Sequence, residues 1–120
     1  FHVLARYKPA MFAALNIVRK PCNGIVTAFS GGYVSSGVRA MPLVHVPSGV
    51  EPLPREGFGE VQTPLKFNAR TIQLNPGDVV ICRFGKAGEP LEHFNEVLAI
   101  SDGKVKARYK TYRGLGLQFF

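Results

Sequence analysis

The sequence predicts a single, mostly-β domain, a small barrel or sandwich, from three observations. Turn formers are dense, with 13 Gly and 9 Pro in 120 residues, which favours many short strands over long helices. Apolar runs rich in β-branched residues are short and bounded by Gly, Pro or Asn. Along the chain such β signals outnumber any helical ones. At 46% hydrophobic and 19% charged, the composition excludes a disordered chain, and the length suits one domain with its own core. There is no internal repeat and no domain boundary, so residues 1–120 are read as one unit.

Met11–Val18 is an apolar run between Pro9 and the Lys20-Pro21 break. Its Ile-Val end favours a buried strand. Cys22-Asn23-Gly24 reads as a turn and Ile25–Phe29 as the second arm of an opening hairpin. Ser30–Gly37 is a Gly/Ser loop. Its tandem glycines are of the kind that lets backbone N–H groups approach a phosphate, but the spacing matches neither GxGxxG nor a P-loop. A plain surface loop is the preferred reading. Arg39–Pro54 holds Pro42, Pro47, Pro52 and Pro54, which predicts an extended connector with little sheet. His45 within it reads as a structural group rather than a ligand.

Gly59–Leu65 alternates polar and apolar residues, predicting a strand with Glu60 and Gln62 on one face. Leu74–Asp78 is a Pro-Gly turn that feeds the apolar strand Val79–Phe84. That strand breaks at Gly85 and Gly88, in a segment presenting Lys86, Glu89, Glu92, His93 and Glu96. Asp102-Gly103 joins Glu96–Ile100 to Val105–Tyr109, the strongest hairpin signal in the chain. On the second arm Lys104, Lys106, Arg108 and Lys110 recur every two residues and share a face, leaving Tyr109 on the opposite, core-facing side. Leu117, Phe119 and Phe120 are expected to pack back onto the body.

A net charge of +7 and pI near 9.8 leave nucleic acid, an acidic partner or a small anion as partner classes, beside a merely solvated surface. A basic strand near Tyr109 and Tyr112 resembles the surface of a nucleic-acid-binding barrel, but the opposed facing of Tyr109 argues against it. Cys22 and Cys82 fit no CxxC pattern, so neither a disulfide scaffold nor a zinc finger is available, and a reduced, cytoplasmic setting is the simpler expectation. Cys82, in an apolar run, reads as an inert buried thiol. No window is apolar enough to span a bilayer and no signal segment opens the chain. A start at Phe1 rather than Met suggests a fragment, a cleaved product or an excised domain.

The common catalytic constellations are absent. His2, His45 and His93 lie too far apart for HExxH, and no Ser-His-Asp set is arguable. Glu89, Glu92, His93 and Glu96 are candidate ligands for a hard metal only if the loop gives them a geometry.

Four stretches add a resemblance: YKPAMFAALNIVRKP (7–21), GEVQTPL (59–65), LNPGDVVICRFGKAGEPLEHFNEV (74–97) and TYRGLG (111–116). In order and spacing they resemble the C-terminal domain of the D-serine dehydratase and D-threonine aldolase group, PLP-dependent enzymes of alanine-racemase-like fold. The similarity is nearest to the branch described as amino-acid deaminases. It implies a two-domain enzyme in which an N-terminal α/β barrel carries the Schiff-base lysine and PLP. The β domain then covers the active site, typically that of the partner subunit in a homodimer. No stretch here resembles the barrel, so the isolated chain is expected to bind no PLP covalently and to turn nothing over.

The resemblance also has departures. In the zinc-dependent relatives a His and a Cys, one residue apart, bind a metal at positions that align with Lys86 and Gly88. Neither residue is a normal zinc ligand. The family's Glu-Glu-His falls on Glu60, Val61 and Gln62, so its His becomes Gln. No metal is therefore expected, and Lys86 becomes the candidate catalytic cation, with Glu60, Gln62 and His93 as candidate substrate-pocket residues. The expected function is a D-amino-acid deaminase or dehydratase. A racemase or a D-threonine aldolase on the same scaffold, and a basic module binding nucleic acid, are the alternatives.

Overall fold

Strand β1 (Phe12–Cys22) is the longest element, and two halves of one sheet share it. In this computed structural model, which describes residues 8–35 and 41–117, the first half of β1 pairs with β6 (Val79–Arg83) over Phe12–Asn16. The second half pairs with β2 (Ile25–Phe29) from Ile17 onward. β3 (Leu43–Val46), β4 (Glu51–Pro52) and β5 (Gln62–Lys66) complete an antiparallel sheet of order β3-β6-β1-β2-β5-β4, which curls into a nearly closed barrel. The domain is mostly β, as the turn density predicts.

The physical cause of the curl is in β1. Register shifts fall between Ile17 and Arg19 and between Arg19 and Cys22. Extra residues on one strand raise the local twist and bend it. Lys20-Pro21, expected to end the strand, lies in the second irregularity, where a residue without an N–H costs no ladder bond. β1 therefore continues to Cys22 and turns through Asn23-Gly24, with Gly24 at φ +81°.

Alternation does the rest. Ala13, Leu15 and Ile17 point inward while Phe12, Ala14 and Asn16 point out. They meet Val26, Ala28, Leu65, Val80, Cys82 and Phe84 in one core. Each fully buried Leu, Ile or Val here contributes about 1.5–3 kcal/mol relative to exposure. Pro76-Gly77 makes the expected turn: Asp78 N–H donates to Asn75 O (3.0 Å), Asn75 N–H donates to the Asp78 carboxylate (2.8 Å), and Gly77 has φ +97°.

The proline-rich connector differs from expectation. It contains β3 and β4, and these are the two edges of the sheet. An edge strand has one row of ladder groups to spare, so proline is tolerated there and also protects the edge. The same residue type that argued against strand marks where the sheet stops.

The remaining pair, β7 (Glu96–Ser101) and β8 (Lys104–Lys110), forms a separate antiparallel hairpin. Asp102 at φ +52° and Gly103 at φ +69° make its two-residue turn, both in the left-handed region that a type I′ turn requires. The hairpin packs chiefly on itself and on the short 3-10 turn Arg113–Leu115 that follows. Leu117 is exposed, and Phe119 and Phe120 lie outside the described residues, as do His2 and Ser36–Ala40.

Candidate functional site

The site grows from the end of β6. Phe84 is buried and anchors the chain; beyond it Gly85, Lys86 and Ala87 leave the sheet. Gly88 then opens a 3-10 turn, Glu89–His93, with the buried Pro90 in its first positions. Proline suits that place because its missing N–H is one the turn does not use. Leu91 N–H donates to Gly88 O (3.0 Å) and Phe94 N–H to Leu91 O (3.3 Å). What reads as an open loop is thus a defined turn. Side chains three apart eclipse in a 3-10 turn, so Glu89 and Glu92 fall on one side.

Tyr33 fixes this turn to the body. Its ring lies 6.1 Å from Phe84, 5.8 Å from His93 and 5.0 Å from Phe94, all tilted or edge-on. Such pairs are worth about 0.5–1.5 kcal/mol each beyond area burial. The Ser30 hydroxyl donates to Tyr33 Oη at 2.9 Å.

The Gly-Ser loop before Tyr33 is a packing device rather than a phosphate cradle. Ser30 N–H donates to Val61 O, Gly32 N–H to Gly59 O and Tyr33 N–H to Gly31 O, each at 2.7 Å. Those amides are already engaged. A Cβ on Gly32 would stand 2.8 Å from the Gly59 carbonyl carbon, so glycine there serves a close backbone approach.

On its other side the turn meets the tail of the hairpin. Thr111 N–H donates to Asn95 O (3.1 Å) and the Thr111 hydroxyl donates to Phe94 O. Gly114 N–H donates to Thr111 Oγ1 (3.1 Å). Between the two segments lies an open cleft of about 780 Å³. Lys86, Gly88, Glu89, Leu91 and Glu92 line one wall, and Val97 with Tyr109 to Tyr112 and Leu115 line the other. The buried Ser35 also contributes.

The expected site residues are placed unevenly. Lys86 is exposed and lines the cleft. His93 is exposed and rests against Tyr33, outside the cleft lining. Gln62, on β5, accepts a hydrogen bond from Arg19 Nη2 at 3.3 Å. Glu60 precedes β5 in a bend, so the two do not share a strand face, and neither lines the cleft. Among the described residues no three His, Cys, Asp or Glu side chains converge as metal ligands. The His45 ring lies tilted against Phe12, centroids 5.3 Å apart.

Tyr109 corrects an expectation. It is 63% exposed and lines the cleft, because the hairpin forms a sheet of its own and, among the described residues, no core closes over its inner side. The basic stripe is also broken. Ala107 pairs with Ala99 and Val105 with Ile100, leaving Lys106 as an extra residue that interrupts the period-two alternation. Arg108 is engaged by Glu96 at 2.6 Å. Of the apolar side chains of the cleft, Tyr112 is visible in the sequence only as an aromatic beside the basic strand, and Leu91 and Leu115 are not marked by any residue pattern. The three-residue spacing of Tyr112 and Leu115 in YRGL matters only once a 3-10 turn is known.

Cys82 is fully buried, and desolvation pushes its thiol up to about 12, whereas Cys22 is exposed. No described helix is long and apolar enough to cross a membrane. Comparison with known protein families, with curated proteins and with solved structures finds no match to this chain.

Proposed function

We propose that this chain is the C-terminal β domain of a PLP-dependent enzyme acting on D-amino acids, of the deaminase or dehydratase kind. The observation that carries the reading is a convergence. The stretches 74–97 and 111–116, each similar to that enzyme group, are joined by the β7–β8 hairpin, bonded to each other at its open end through Thr111 and Asn95, and together wall the cleft. An open cleft of about 780 Å³, apolar in most of its wall and with charged groups at its rim, suits a small-molecule site.

In this reading an N-terminal barrel holds PLP, which withdraws electrons from the substrate α-carbon when bound. This chain covers that centre in a homodimer and supplies the wall. Lys86 contributes a fixed positive charge toward the substrate carboxylate or a leaving hydroxyl, and such charge is effective where water is excluded. Lys86 and Gly88 are not normal zinc ligands, so in this reading the hydroxyl departs without the metal that the zinc-dependent relatives hold there. For a 3-hydroxy D-amino acid the net change is loss of the hydroxyl as water, then hydrolysis to a 2-oxo acid and ammonium. A racemase or aldolase would use the same wall.

The test is release of 2-oxo acid and ammonium from D-serine or D-threonine by the natural polypeptide containing this chain, supplied with PLP. Product with D-isomers and none with L-isomers supports the reading. No product, with no PLP absorbance, overturns it.

A basic module that contacts nucleic acid is the second reading. The exposure of Tyr109 beside the β8 lysines favours it. Phosphate contacts weaken steeply with salt, so binding of single-stranded DNA or RNA that falls across a salt titration supports this reading, and no binding at low salt removes it.

A further inference from the structure

We propose that the cleft selects D-amino acids with a bulky apolar, preferably aromatic, side chain over serine-sized ones; this rests on the enzyme reading above. The cleft's size is the first observation. About 780 Å³ sits well inside the range of roughly 300–1,000 Å³ typical of sites for drug-sized ligands. A hydroxymethyl side chain would leave most of its apolar wall in contact with water.

The wall itself is the second. Leu91 lines it from the 3-10 turn Glu89–His93, and Val97, its ladder partner Tyr109, Tyr112 and Leu115 line it from the hairpin and its tail. Tyr112 and Leu115 stand three apart at and within the 3-10 turn Arg113–Leu115, so their side chains lie one above the other. Tyr109, Tyr112 and Leu115 are all more than half exposed. Contiguous exposed apolar groups of this kind mark a binding surface, and tyrosine faces favour an aromatic guest through offset or edge contacts.

Charge at the rim supplies orientation. Lys86 and Lys110 line the cleft as ammonium groups suited to a substrate carboxylate. Glu89 and Glu92, eclipsed in their own turn, disfavour a second carboxylate at the side chain. Acidic D-amino acids are therefore disfavoured, and neutral bulky ones are left.

The experiment compares kcat/KM for D-serine, D-threonine and D-3-phenylserine in the natural, PLP-loaded polypeptide. An apolar pocket discriminates by about tenfold or more per well-filled group. The expected result is a D-3-phenylserine value at least tenfold above that for D-serine. Leu115→Ala should lower the D-3-phenylserine value more than the D-serine value. Leu117→Ala, exposed and outside the cleft lining, should change the ratio by less than twofold. A thermal melt of each variant separates loss of selectivity from loss of fold. Equal values, or a preference for D-serine, overturn the selectivity while leaving the enzyme reading intact. Failure to consume any D-amino acid overturns both.

Discussion

Gly114 lies directly against the carbonyl oxygen of Asn95, with no room between them for a methyl group. That approach, with Thr111 bonded to Asn95 and Phe94, holds the two walls of the cleft together. Gly114→Ala must push the Arg113–Leu115 turn off the β7 start. We expect a loss of about 1–3 kcal/mol in urea unfolding, as for other overpacked sites. Gly88→Ala is the control: nothing lies within 4 Å of the Cβ it would add, and its φ of −62° suits alanine. Its stability should stay within about 0.5 kcal/mol of wild type or rise slightly.

Gly103 sits at φ +69° in the β7–β8 turn. Gly103→Ala forces a side chain into the left-handed region at a cost of about 1 kcal/mol. A two-stranded hairpin is marginal by itself, and this one packs sparsely on the sheet. The cost should appear locally. Hydrogen exchange of β7 and β8 amides should speed about fivefold while Leu15 and Val80 amides keep their protection. Equal acceleration in both sheets would show that the hairpin and barrel unfold together.

The two thiols should separate cleanly. With its pKa raised to about 12 by burial, Cys82 is thiolate to about one part in ten thousand at pH 8. Native protein should therefore take up one alkylating group, at Cys22, and two in denaturant, read by intact mass. The linkage has a definite sign. A thiol that ionises less readily when folded stabilises fully below its ordinary pKa near 9. That contribution is lost as pH rises from about 9 toward 12, and Cys82→Ala should abolish it.

These outcomes reflect what local chemistry in the chain determines. Asn23-Gly24, Pro76-Gly77 and Asp102-Gly103 are legible because each turn needs a residue type that few others replace. β1, β2 and β6 are legible from apolar alternation and β-branched content. The edge strands β3 and β4 were hidden, since proline reads as strand-breaking unless the strand is known to be an edge. The continuation of β1 past Pro21 was hidden for a related reason, the register shift that accommodates it. The facing of Tyr109 was misjudged because period-two reasoning assumes a core on one side, and the hairpin has none within the described residues. In the site, Lys86 is legible as one of the charged residues after the Gly85 break, and the role proposed for it comes from the resemblance alone. The placing of Tyr112 and Leu115 depends on the Thr111–Asn95 contact, which continues the hairpin register one step past Glu96–Lys110 and is fixed only once the irregularity at Lys106 is known.

The proposed role of Lys86 is decided by the turnover of Lys86→Ala in the natural polypeptide containing this chain, with PLP and zinc content measured alongside. Removing one preorganised charge or donor from an active site typically costs about 100-fold or more in rate. A drop in kcat/KM of about that size is expected, with PLP occupancy unchanged and no zinc at stoichiometric level. Activity within twofold of wild type, or one zinc per chain, would contradict that role.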